Sequence, residues 1–158
     1  MKKVILRILV FLLTAGWMLM IFGFSAQSGE ESGGMSEIIA EPLTKLLSSH
    51  LDPMSEAQRQ VLYQQVDGAV RIAAHFTEYA ILGGLLMLDF QYIRRRGFWL
   101  PWLAGTLYAL TDEWHQSFSP GRACDMMDVF IDACGVLFGI FVCKLIIQRR
   151  REKHVYHS

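Results

Sequence analysis

Cysteine is scarce in this chain: Cys124, Cys134 and Cys143 are the whole supply, and no two of them stand as C-x-x-C. That spacing excludes a disulfide scaffold and a zinc site. Two of them lie inside an apolar stretch, where a free Cys behaves as a small hydrophobe. Net charge is lacking as well, with 15 Lys and Arg against 15 Asp and Glu. Long basic runs are absent. The short ones sit beside apolar segments, where membrane orientation accounts for them and nucleic acid does not. Internal repeats, low-complexity tracts and a clean A-x-A processing site are missing too.

What is abundant is apolar residues, 53% of a chain of 158. That length fits a single domain, 1–158, by the usual prior of roughly 100–200 residues. The first apolar run, Val4–Phe24, follows Met1-Lys2-Lys3. At about 1.5 Å per residue it spans a hydrocarbon core of roughly 30 Å, whereas a signal peptide's apolar region is about 7–15 residues. It reads as a retained first helix, with Arg7 able to extend its head to the interface. Three more apolar segments follow, at about 72–92, 98–116 and 127–147, each carrying ionisable residues toward one end. The expected fold is all-α, a membrane bundle of about four transmembrane helices.

Between helices one and two lies a polar outer segment, 25–71. Within it Ser36–Ser49 and Ser55–Ala69 place apolar residues at helical spacing: Ile38, Ile39, Leu43, Leu46 and Leu47, then Val61, Leu62, Val66 and Val70. These predict amphipathic helices on the membrane surface or over the bundle, the second able to run on into helix two. Basic residues cluster at Lys2, Lys3 and Arg7, at Arg94–Arg96, and from Lys144 to Lys153. Four crossings put all three clusters on one side, so both termini are expected in the cytoplasm. The other side receives Glu30, Glu31, Glu37, Glu41, Asp52, Glu56 and Asp67, against only Lys45, Arg59 and Arg71.

On that map the polar residues converge at the outer level. Helix one ends with Ser25 and Gln27. Helix two opens with Arg71, His75 and Glu78, helix three closes with Asp112, Glu113, His115 and Gln116, and helix four opens with Asp125, Asp128 and Asp132. Spacings of three and four keep Arg71, His75 and Glu78 on one face, and likewise Asp125, Asp128 and Asp132. Ser119-Pro120-Gly121-Arg122 is a tight return. An ionisable side chain at mid-bilayer costs about 2.5–3.5 kcal/mol by insertion scales, so the cheapest arrangement turns these groups toward one another. Structural contacts between membrane helices, worth about 0.6 kcal/mol each, need far fewer such residues. An outward-facing polar pocket is expected.

The residues resemble those of the VanZ-like family. The likeness rests on Phe24-Ser25-Ala26-Gln27 with Ser32 and Ser36, and on His75-Phe76-x-Glu78-Tyr79 with Leu82 and Gly83. It continues through Asp112-Glu113-x-His115-Gln116-x-Phe118-x-Pro120-Gly121-Arg122 to Asp125, Asp128, Asp132 and Gly135. The basic residue before His75 stands four positions upstream, where the family tends to have it three upstream. The resemblance implies a bacterial protein of the cytoplasmic membrane. The family is named for a membrane protein associated with low-level resistance to the glycopeptide teicoplanin, and the likeness supports a role at the cell envelope more than any mechanism.

Three functions fit the residues to different degrees. The first is an enzyme acting on an envelope lipid or lipid-linked precursor. His75, Glu78, Asp112, Glu113, His115, Asp128 and Asp132 would be its acid, base or divalent-metal candidates, and Ser25, Gln27, Arg71, Gln116, Arg122 and Asp125 its binding groups. Arg122 could equally pair with Asp125 or Asp128. The second is a binding or accessory protein that recognises an anionic lipid or a glycopeptide through the segment 36–70. The third, an ion path, is the weakest: the cytoplasmic half offers only Asp89, expected to pair with Arg94–Arg96. No nucleophile motif decides between the first two.

Overall fold

A computed structural model of the chain describes residues 1–50, 54–91 and 97–155. They form five α-helices, α1 (Lys2–Ser25), α2 (Gly29–Ser49), α3 (Glu56–Phe90), α4 (Trp99–Gln116) and α5 (Met126–Val155), with no strand among the described residues. Two stretches, Lys2–Ser25 and Met126–Arg150, are long and apolar enough to cross a membrane. A helix that passes this test inside a soluble protein is buried, whereas only 17% of the α1 window is. Phe11, Leu12, Leu13 and Leu19 are each more than half exposed. An apolar surface that continuous suits hydrocarbon and not water. The chain is a membrane protein.

Two of the expected elements came out longer. Ser28 starts α2 seven residues before the expected Ser36, because it forms a capping box with Glu31: its hydroxyl accepts from the Glu31 amide at 3.2 Å while Glu31 accepts from the Ser28 amide at 3.0 Å. The Ser28 amide, and the Ser28 hydroxyl donating to the same carboxylate at 3.0 Å, hold the Glu31 carboxyl below its ordinary value, the amide most strongly. A second capping box, Ser55 with Gln58, opens α3. With no proline and only Gly68 as a weak breaker before the close-packed Gly83 and Gly84, α3 runs 35 residues without interruption. The expected helix over 55–69 and the transmembrane segment over 72–92 are thus a single rod of about 52 Å.

The orientation of α2 reverses the arrangement usual in a soluble protein. Its small residues Ser36, Ala40 and Thr44 are buried, and α2 packs on α3. Its large apolar residues, Ile38, Ile39 and Leu46 among them, are more than half exposed. Of the two expected placements the structure shows packing over the bundle: α2 lies on it by its small face and turns its greasy face outward. Ser36 donates to Asp67 across the α2–α3 contact.

Backbones approach most closely between α3 and α5. A Cβ on Gly139 would stand 1.7 Å from the Ala80 carbonyl oxygen, and one on Gly83 would stand 2.2 Å from that of Val136. Gly135 meets Phe76 in the same way. Small residues spaced four apart on facing helices give membrane helices this closeness. α1 is held differently, by long side chains reaching main-chain carbonyls. The Trp17 indole donates to Glu78 O at 2.9 Å, and the Tyr108 hydroxyl donates to Met18 O at 2.6 Å. Trp99 sits at one end of α4, with Trp114 and Phe118 at the other, all about two-thirds exposed. Asp89 accepts a hydrogen bond from Thr14 at 2.6 Å; its expected partners, Arg94–Arg96, lie outside the described residues.

Gly139→Leu should force α3 and α5 apart and lower stability by at least about 1–3 kcal/mol, the usual range for overpacking. Gly16→Leu, where a Cβ meets nothing within 4 Å, should be silent. Thermal unfolding of both variants in detergent checks the pair.

Candidate functional site

The turn after α4 builds the roof of the site. Pro120 supplies the first central position and Gly121, at φ 75°, the second, closed by the Arg122 amide donating to Ser119 O at 3.2 Å. This is the type II pattern, which needs glycine at its positive-φ position. The turn then satisfies two helix ends at once. The Ser119 hydroxyl donates to the carbonyls of Ser25 and Ala26 at 3.3 and 3.4 Å, groups left open where α1 stops. Pro120 O accepts from the first amide of α2, Gly29, at 2.9 Å. A Cβ on Gly29 would lie 2.7 Å from Gly121 O, so only glycine lets these segments touch.

Under this roof, between the end of α1, the start of α2 and the middle of α3, lies a cavity of about 200 Å³. Its polar lining is Ser25, Gln27, Ser32, Ser36, Arg71, His75, Glu78 and Arg122. Neither Arg71 nor Arg122 forms an ion pair with a carboxylate among the described residues; the one ion pair there joins His75 to Asp132. Arg122 reaches the Ser25 carbonyl at 3.5 Å, at the negative end of the α1 dipole. Burial lowers the Arg122 pKa below its ordinary value, and repulsion from Arg71 pushes the same way, against the pull of Glu113, Asp112 and Asp128. Arginine keeps its proton under such pressure. The cavity therefore carries two positive charges that face each other.

A layer of buried acids lies behind the cavity wall. Asp112, Glu113 and Asp132 are each 2% exposed. Asp112 accepts from the Ser25 hydroxyl at 2.7 Å and from the Gln116 amide at 3.2 Å, tying α4 to the end of α1. The fully buried Tyr79 hydroxyl feels both Asp112 and Asp132. The Asp132 carboxylate stands 3.6 Å from His75 Nδ1. His75 also lines the cavity, so this pair joins the buried layer to the cavity wall. Glu113 is enclosed, with only the Asp125 main chain to satisfy it, in the field of Asp128 and His75.

The structure thus gathers most of the sequence-derived candidates and sets two apart. His115 turns from the cavity and stacks on Phe22, ring centroids 4.0 Å apart. Asp125 is exposed and caps α5, accepting from the Met127 amide at 2.8 Å. Asp128 is half-buried one turn further on. Tyr79, Ser119, Ser32 and Ser36 were not singled out as site residues. The four-residue steps from Ser28 through Ser32 to Ser36, one face of a helix, could have found the last two. Among the described residues no group of three or more His, Cys, Asp and Glu side chains is placed to hold a metal ion, so the divalent-ion reading has no ligand set there.

Ser25→Ala should destabilise the protein by about 1–3 kcal/mol, since it strips the buried Asp112 of its shortest hydrogen bond. Thermal melting of the purified variant reads this directly, and an unchanged midpoint would count against the network.

No curated protein and no solved structure matches the chain. The VanZ/LLP1 family model, by contrast, matches residues 10–147, from the middle of α1 into α5. That stretch contains the turn, the cavity and the buried acids behind it, and it identifies the chain as a member of the VanZ/LLP1 family.

Proposed function

We propose that this chain is a four-span protein of the bacterial cytoplasmic membrane, both termini inside. Its cavity opens on the extracytoplasmic side and takes the anionic head of an envelope lipid or lipid-linked precursor. The observation that carries this is the pair Arg71 and Arg122, lining one cavity with no carboxylate in ion-pair contact. Guanidiniums are suited to phosphate and carboxylate, which they bind through paired donors. His75, steadied by Asp132, and Glu78 one turn along α3 share that cavity and supply a base and an acid for chemistry on the bound head group. The link to teicoplanin then runs through the envelope lipid this protein handles.

A second reading, recognition without turnover, draws on the outward apolar face of α2, with Ile38 75% exposed. A partner or a lipoglycopeptide would settle on that face, and the cavity would serve only as a mount.

The two separate in cells. Full-length variants are expressed in a strain lacking the protein, their membrane levels are matched by immunoblot, and teicoplanin susceptibility is scored. His75→Asn, Glu78→Gln, Arg71→Gln and Arg122→Gln should each abolish any effect of the wild type on susceptibility at unchanged abundance. Ile38→Ser with Leu46→Ser should spare it. The reverse pattern selects recognition by α2. Lipid extracted from the gently purified wild type should contain a phosphate-bearing species that drops at least tenfold in the double arginine variant; equal lipid in both would refute the head-group site.

A further inference from the structure

The polar cavity continues into a groove of about 490 Å³ between α1 and α3. The two share Phe24, Ile39, Val70, Ala74 and Glu78 as lining, so they form one space with a polar head and an apolar stem. The stem runs along α3 from Val70 to Ile81, about 16 Å at helical rise, with Trp17 and Met20 of α1 opposite. Ala73, Ala74 and Thr77 keep it open because they are small. Two of its polar groups are already engaged: the Thr77 hydroxyl donates to Ala73 O at 2.7 Å, and the Trp17 indole donates to Glu78 O at 2.9 Å. The Glu78 carboxylate stands where the groove meets the polar cavity, and the rest of the wall is apolar.

We infer that the cavity is filled sideways from the bilayer by a phosphate-bearing lipid, its phosphate between Arg71 and Arg122 and one acyl chain in the groove between α1 and α3. The inference rests on the head-group reading above and adds the chain and the route of entry. Charge complementarity fixes the polar end, because two guanidiniums without a carboxylate partner crown an otherwise apolar channel. Continuity fixes the other end: the groove opens on the side where Leu19 and Ile81 are exposed. Glu78 lies seven residues, about 10 Å, further along α3 than Arg71, in the same cavity and in the field of Arg122. It sits beside the linkage between head and chain, where His75 also reaches the cavity.

The test uses the full chain in neutral maltoside micelles and three defined probes: dioleoylphosphatidate, dioleoylglycerol and glycerol 3-phosphate. Native mass spectrometry reads the lipids and calorimetry reads glycerol 3-phosphate. Phosphatidate should bind at least tenfold more tightly than either other probe. The double variant Arg71→Gln with Arg122→Gln should weaken it at least tenfold. Ala73→Phe, at an exposed position in the groove, should weaken phosphatidate tenfold and leave glycerol 3-phosphate unchanged. Leu107→Phe, on exposed α4 surface, should change neither. If glycerol 3-phosphate binds as tightly as phosphatidate, with arginine dependence and a silent Ala73→Phe, the chain does not occupy the groove and the inference falls while the head-group reading stands. If no probe depends on the arginines, both fall.

Discussion

Hydrocarbon does not solvate a carboxylate, and the placement of every acid in this bundle follows from that. Asp112 finds Ser25 and Gln116, Asp132 finds His75, and Asp89 finds Thr14. Polar contacts of this sort return about 0.6 kcal/mol each on average, while an insertion cost of about 2.5–3.5 kcal/mol applies to a charge at mid-bilayer. Two hydrogen bonds on Asp112 do not close that gap, and no side chain among the described residues donates to the enclosed Glu113. A bundle wanting only cohesion would replace these acids with leucine. Their retention, at the level where the two arginines also stand, is the physical case for a site.

The same constraint explains the roof. α1 stops with its last carbonyls open, and a helix end in apolar surroundings must give them donors. Ser119 and Arg122 provide those donors, and Pro120 in return accepts the first amide of α2. The turn thereby fixes three helices relative to one another. Arg122 comes to rest over the cavity as a consequence of capping α1, so one short motif both ties the helices together and lines the cavity.

The sequence exposed much of this and hid a definite part. Residues that must be polar whatever the context, such as His75, Glu78, Asp112 and Asp132, were legible because three- and four-residue spacing places them on faces. Helix continuity was less legible: nothing between Ala69 and Ile72 marks either a join or a break, so α3 read as two elements. His115 illustrates a further limit. It shares a helix face with Asp112 by spacing, yet a neighbouring aromatic, Phe22, draws it aside. Asp125 looked like a third acid of the set and proved to be a helix cap, a role that depends on where α5 begins. Small residues gave no signal at all as site builders, although the width of the groove is set by Ala73, Ala74 and Thr77.

That width has a cause in how the two sides of α3 are packed. Toward α5, α3 presents Gly83 and Ala80 to Val136 and Gly139, and the backbones close to contact. Toward α1, the link is made by an indole reaching a main-chain oxygen, Trp17 to Glu78. Bonds of this kind fix distance as firmly as glycine contacts do, but they fix it at the length of a side chain. The space left over between small residues on α3 and long ones on α1 is the groove. The acids stay rigid against α5 while the opening lies on the other face of the same helix, so a ligand can enter beside His75 and Glu78 without prying apart the contacts that bury Asp112 and Asp132.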